Sequence, residues 1–255
     1  MLIAVVNRST LVSNDEANIM CQAIQIQLDL HMLPAWNLKQ GTVRFYSDES
    51  QVPGYAWVIY LIDDDTAVEG ALGFHQEEPT GKVDGYIMVK PILENGGSVL
   101  AFDPNNPGNY TVSATLSHEV IETIGDRFTN CWYDCGEYSW CGELCDPVEQ
   151  IGYPVEVNGV QVSVSDFVFP SYFNVYATEK EHMPFNYLKT PGFSQFAILS
   201  GGYCIVRIGG PGTEQQIFGE TMPAHRRAAK MKDFARAMRR KELKMNKNKV
   251  SICIK

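Results

Sequence analysis

The first 128 residues alternate in a way that few folds permit: a strand-like run, a capped helix, four more strand-like runs, then a second helix. Leu2 to Asn7 is apolar and β-branched enough for a strand. Ser13-Asn-Asp-Glu16 has the pattern of a capping box, in which the serine and the glutamate each satisfy the other's backbone N–H, and Ala17, Met20, Cys21, Ile24 and Leu28 follow on one helical face. Pro34 is expected to end this helix. Thr42 to Tyr46, Ala56 to Ile62, Ala71 to His75 and Tyr86 to Lys90 are rich in β-branched and aromatic residues, with turn signals such as Pro53-Gly54 and Thr80-Gly81 between them. The second helix is predicted from Val112, because Val112, Leu116, Val120 and Ile124 recur every fourth residue. This order is α+β in class: a mixed sheet with a helix beneath it, followed by an irregular, loop-rich C-terminal part and a basic terminal helix.

The second helix carries Ser117-His-Glu-Val-Ile-Glu122. Residues four apart on a helix share a face, so His118 and Glu122 can hold one cation while Glu119 is left to take a proton from its water. H-E-x-x-E arises by chance in roughly one of fifty chains of this length, so the rest of the chain has to support it. The apolar stripe lies roughly opposite His118 and Glu122, which predicts that these two face a cleft. The bland alternative is an exposed face whose polar groups are satisfied by water.

A cation gripped by two side chains needs at least one more donor. Glu143-Leu-Cys-Asp-Pro-Val-Glu149 offers three. Asp146 is preferred, because Pro147 is expected to hold it extended with its short side chain pointing inward. Glu143 is the next choice, Asp126 at the helix end is a local rival, and Glu149 is weaker. Alternatively, Glu143 and Asp146 are turn residues before the proline. Zinc is the expected ion, although one imidazole with two carboxylates is a hard set that also suits manganese or calcium. His75 ends a strand and joins the site if it faces the cleft, whereas a lone strand histidine is more often structural.

Cys131, Cys135, Cys141 and Cys145 crowd the loop before this acidic block. They can be free thiols, a structural metal site or two disulfides. Trp132, Tyr133, Tyr138 and Trp140 interleave with them and either pack or bind a peptide or carbohydrate.

Charge divides the chain. The net charge is −9, yet residues 223–255 hold 12 Lys and Arg against 2 Asp and Glu, so the body is strongly acidic and the end strongly basic. Met231, Phe234 and Met238 fall there at helical spacing, with Arg226, Arg227, Arg236, Arg239 and Arg240 around them. Such a segment can dock on an acidic protein surface or remain a solvated terminus. Nucleic acid is a weaker partner, since the acidic body repels the same polyanion. No run is long and apolar enough to span a bilayer, and the first apolar run has no basic segment before it. Cytoplasmic synthesis without a signal peptide or a membrane partner is therefore expected.

Taken in order, Gly73-Phe-His75, Val89-Lys-Pro91, Ser117 to Glu122, Glu143 to Glu149, Val164-Ser-Asp-Phe-Val-Phe-Pro-Ser-Tyr-Phe173 and Gly201-Gly-Tyr203 resemble a family of phage and bacterial proteins. That family has a zincin-like helix followed by an E-x-C-D-P-x-E segment, and the likeness covers about residues 71 to 205. The element order is similar to the N-terminal lobe of zincin peptidases. Gly125 stands where metzincin peptidases place a glycine that turns the chain toward the metal, while Phe128 stands where they place a third ligand. The chain is accordingly divided into a zincin-like lobe over 1–128, a lobe with the Cys-rich loop and acidic block over 129–220, and a basic helical tail over 221–255, which the resemblance does not cover. The resemblance also implies a metal-binding component of a phage particle, made in a bacterial host, with other subunits of the assembly as partners. An active metal-dependent peptide hydrolase and a catalytically silent decoration subunit docking through its tail are the alternatives.

Overall fold

The computed structural model describes residues 1–64, 72–77, 82–105, 110–126, 128, 130–177 and 184–219. The terminal helix expected above, with Met231, Phe234, Met238, Arg226, Arg227, Arg236, Arg239 and Arg240, lies outside the described residues. The described chain is mixed α+β. Among its residues no helix is long and apolar enough to cross a membrane.

The first sheet contains β1 (Leu2–Asn7), β2 (Thr42–Tyr46), β3 (Trp57–Ile62), β4 (Gly73–Glu77) and β5 (Val83–Met88). Their order is β2-β1-β3-β5-β4, parallel except for β4, which runs antiparallel to β5 at the edge. Between β1 and β2, α1 (Asn14–Gln27) opens on the capping box: the Ser13 side chain accepts from Glu16 N–H, and the Glu16 carboxylate accepts from Ser13 N–H. Pro34 does not end this helix. The chain continues through a wide turn at Leu28–Met32 into α2 (Leu33–Ala35), where Pro34 stands in the first turn, a place where a missing N–H costs little. The run expected to be strand through Lys90 also changes state early, because α3 (Val89–Glu94) starts there with Pro91 near its beginning.

Alternation along the strands sends Ile3, Val5, Ile59, Leu61 and Ile87 to one face of the sheet, each at most 2 % exposed. They pack in a single apolar cluster with α1 and with α4 (Val112–Gly125), the metal-type helix. The region beyond α4 is more regular than expected. Strands β6 (Trp132–Cys135), β7 (Tyr138–Cys141), β10 (Tyr203–Ile208) and β11 (Glu214–Phe218) form an antiparallel sheet in the order β11-β10-β7-β6. Between them in sequence, β8 (Gly152–Val157) and β9 (Val160–Ser165) form a hairpin turned at Asn158 and Gly159, both with positive φ. Its inward residues Val155, Val162 and Val164 belong to the same cluster as Ile3 and Leu116, so residues on either side of position 128 share one core.

Candidate metal site

Helix α4 begins at Thr111, whose hydroxyl accepts the Ala114 N–H at 2.9 Å. Val112, Leu116 and Val120 are fully buried against the core, and Ile124 is half-buried. On the opposite face His118 lines a cleft as the stripe predicts, whereas Glu122 does not. His118, Glu119 and Glu122 are only 8 %, 3 % and 2 % exposed, beneath the acidic segment Glu143 to Glu149.

That segment supplies the third donor. His118 Nε2 lies 3.2 Å from Glu122 Oε2 and 3.3 Å from Asp146 Oδ1. Donors sharing one ion at about 2.1 Å stand about 3 to 3.5 Å apart, so each carboxylate is at ligand spacing from His118. Asp146 arrives on the 3₁₀ turn Asp146–Val148 and not in the extended conformation expected of a residue before proline. The turn is held from behind: Leu199 N–H donates to Pro147 O at 2.9 Å, and a Cβ on Gly202 would stand 2.5 Å from Pro147 O and 2.7 Å from Asp146 O. Only glycine lets the chain cross there, which accounts for the Gly201-Gly202 pair ahead of Tyr203.

Electrostatics favours a cation at this point. Burial opposes a charge on His118, but Glu122, Asp146 and Glu119 outweigh it and hold its pKa well above the usual histidine value. Burial first, then Asp146 and Glu143, push the Glu122 carboxyl up, while His118 pulls it down. Cys145 is also close: one donor atom each from His118, Glu122 and Cys145 lie within 4.8 Å of one another. Asp146 competes with it as third donor, with Oδ1 3.3 Å from His118 Nε2. The Cys145 thiol, by contrast, would first have to lose a proton that burial and Glu122 retain.

The remaining acidic residues divide. Glu143 is 2 % exposed, accepts from the Cys141 thiol at 3.8 Å and adds to the negative field on Glu122. Glu149 is half-buried in the cleft wall. Asp126 is not brought to His118: its two oxygens accept Asn130 N–H at 3.0 Å and Cys131 N–H at 2.9 Å, clamping the loop that leaves α4. Gly125 does not make a left-handed turn. A Cβ there would collide with Leu144, so the glycine lets the acidic segment close on the helix end. The Phe128 ring packs 6.1 Å from Trp57.

His75 is fully buried on β4, with Nδ1 2.8 Å from Glu119 Oε2. His75, Glu119 and Glu122 form a second group whose donor atoms lie within 4.8 Å of one another. The strand comes this close to α4 because residue 73 is glycine. A Cβ there would meet Thr115 Cγ2 at 2.9 Å and Glu119 Oε1 at 3.1 Å.

A small cleft of about 30 Å³ adjoins the site, with Gly73, His118, Glu119, Glu149, Ser165 and Tyr203 among its walls. Each block singled out in the sequence, apart from Val89-Lys-Pro91, contributes at least one of these residues. Gly73, Ser165 and Tyr203 were not assigned to the site from the sequence. The only signal was their place in those blocks, since pairing across a tertiary cleft leaves no periodicity.

The cysteine loop is built differently from any metal cage expected there. Cys131, Cys135, Cys141 and Cys145 are free thiols, and Cys145 is the one of the four that enters a donor group among the described residues. The interleaved aromatics pack: Tyr133 stacks on Phe173 at 4.1 Å, Trp140 lies 5.4 Å from Phe196, and the Arg207 guanidinium sits 3.6 Å above Trp132.

Comparison of the chain with models of protein families, with curated proteins and with solved structures gives no match.

Proposed function

We propose that the protein is a zincin-like metal protein whose site is built for metal-dependent hydrolysis, with a peptide as substrate. One observation carries the reading: donor atoms of His118, Glu122 and Cys145 lie within 4.8 Å of one another, Asp146 Oδ1 stands 3.3 Å from His118 Nε2, and Glu119 lines the same cleft as His118. The antiparallel edge strand beside a helix beneath a mostly parallel sheet supports the zincin-like assignment.

His118, Glu122 and Asp146 would hold the cation, with zinc the expected ion and manganese or calcium suited to the same donors. When bound, such an ion polarises a carbonyl and acidifies a water. Glu119 accepts the proton of that water and returns it to the leaving amine. A phage particle with other subunits as partners is the setting we propose for this chemistry. Its support is the block likeness and the opposite charges of the body and residues 223–255.

Elemental analysis of the purified protein tests the reading. About one divalent ion per chain is expected, lost in Glu122→Ala. Protein that stays metal-free after exposure to zinc, manganese and calcium in turn would overturn it.

A further inference from the structure

We propose that His75 is a positioning residue, which through its hydrogen bond keeps the Glu119 carboxylate off the cation and so preserves it as a base. This rests on the metal-site reading above.

Glu119 has two possible fates. Its carboxylate lies within 4.8 Å of donor atoms of both Glu122 and His75, close enough to swing onto an ion held by Glu122. A carboxylate bound to the ion no longer accepts a proton from the water beside it. Something has to hold it away.

His75 is the group in contact. Its Nδ1 stands 2.8 Å from Glu119 Oε2 with both side chains at most 3 % exposed, so water does not compete for the bond. Nδ1 carries the hydrogen when Glu119 is ionised, and Oε1 remains on the other side of the carboxylate. One glycine serves this contact: Gly73 lets β4 approach Glu119.

The pair is not explained by stability. His75 Nε2 is buried and has no hydrogen-bond partner among the described residues. A buried unpaired nitrogen costs stability that an apolar residue at this position would avoid. A structural histidine in a strand is normally satisfied at both nitrogens. Among the described residues this one is satisfied only toward Glu119.

The full chain loaded with cobalt(II) provides the test, because visible absorption of the ion weakens as its coordination number rises. In the parent, Glu119→Gln should leave the spectrum unchanged, since the carboxylate is not a ligand. In His75→Ala the absorption should weaken as Glu119 joins the ion, and the double variant His75→Ala with Glu119→Gln should regain the parent spectrum. His75→Asn, which keeps an N–H donor near the position of Nδ1, should also regain it. A changed spectrum in Glu119→Gln, an unchanged one in His75→Ala, or loss of one of two bound cobalt ions in His75→Ala would each overturn the proposal. If His75→Ala does not fold, His75→Leu, which also lacks a donor, takes its place with the same expected weakening. A parent that takes up no cobalt overturns the metal-site reading itself, and this proposal with it.

Discussion

Gln27 and Ser117 stand on different helices and are joined by a hydrogen bond of 2.6 Å from the serine hydroxyl to Gln27 Oε1. The same amide donates to Ser165 O at 2.7 Å and to the Tyr153 hydroxyl at 3.0 Å, while Ser165 N–H donates back to Ser117 Oγ at 3.1 Å. Ser117 directly precedes His118, so this buried network sets how α4 is rotated against the hairpin that walls the cleft. Gln27→Ala leaves a hydroxyl and a carbonyl unpaired in the core, and urea denaturation should register a loss of about 2 to 3 kcal/mol. A loss no larger than that of an ordinary surface substitution would remove the network from this role.

Two acidic residues close in sequence should behave oppositely toward metal. Glu122→Ala should abolish uptake of a divalent ion. Asp126→Asn should keep the ion and loosen the loop at Asn130 and Cys131, which its carboxylate clamps. Dialysis against zinc followed by elemental analysis separates them, and equal uptake by both variants would argue against Glu122 as a ligand.

Glu119→Gln keeps the size of the side chain and removes its ability to take a proton. With metal retained, hydrolysis of a responsive peptide from a broad library should fall by roughly 10² to 10⁴. Parent and variant turning over at the same rate would take Glu119 out of the chemistry.

Asp166 gives the fold a pH dependence of its own. It is fully buried, and burial pushes its carboxyl from 3.8 up to about 7, against hydrogen bonds from Asn186 and the Phe167 N–H that pull it down. The folded state therefore holds this proton more tightly than the unfolded chain does. Stability from this group is complete at acid pH and is lost as pH rises from about 4 through about 7. Between about pH 5 and pH 8 the parent should lose about 2 to 3 kcal/mol relative to Asp166→Asn in urea titrations. Parallel curves for the two proteins would contradict the shifted carboxyl.

Local signals carried the helices well. The Ser13 capping box and the apolar face from Ala17 to Leu28 are readable because their partners lie within one or two turns. The spacing of His118 and Glu122 is readable for the same reason. The β5 to α3 boundary was misread because Val89 and Lys90 suit a strand by composition, while Pro91 suits the start of a helix. β10 was within reach, since Tyr203 to Ile208 is an apolar, β-branched run. What the sequence could not disclose is which face of the edge strand meets α4. That depends on Gly73 lying against Glu119, a contact between segments that share no periodicity. Asp126 shows the converse, a residue with ligand chemistry and helix-end placement that tertiary structure spends on two loop amides.

The turn under Gly202 has a kinetic consequence. With the Asp146 backbone packed against a crossing that leaves no room for a side chain, the turn that carries this donor cannot withdraw unless the chain from Leu199 to Gly202 lifts first. For the cation proposed here, escape is then limited by that local opening and not by the strength of whatever competes for the ion. Release to a chelator should reach a ceiling rate as chelator concentration rises, and Leu199 and Gly202 amide hydrogen exchange should proceed at that same ceiling. Release that keeps accelerating with chelator would mean that Asp146 lets go without the crossing strand moving.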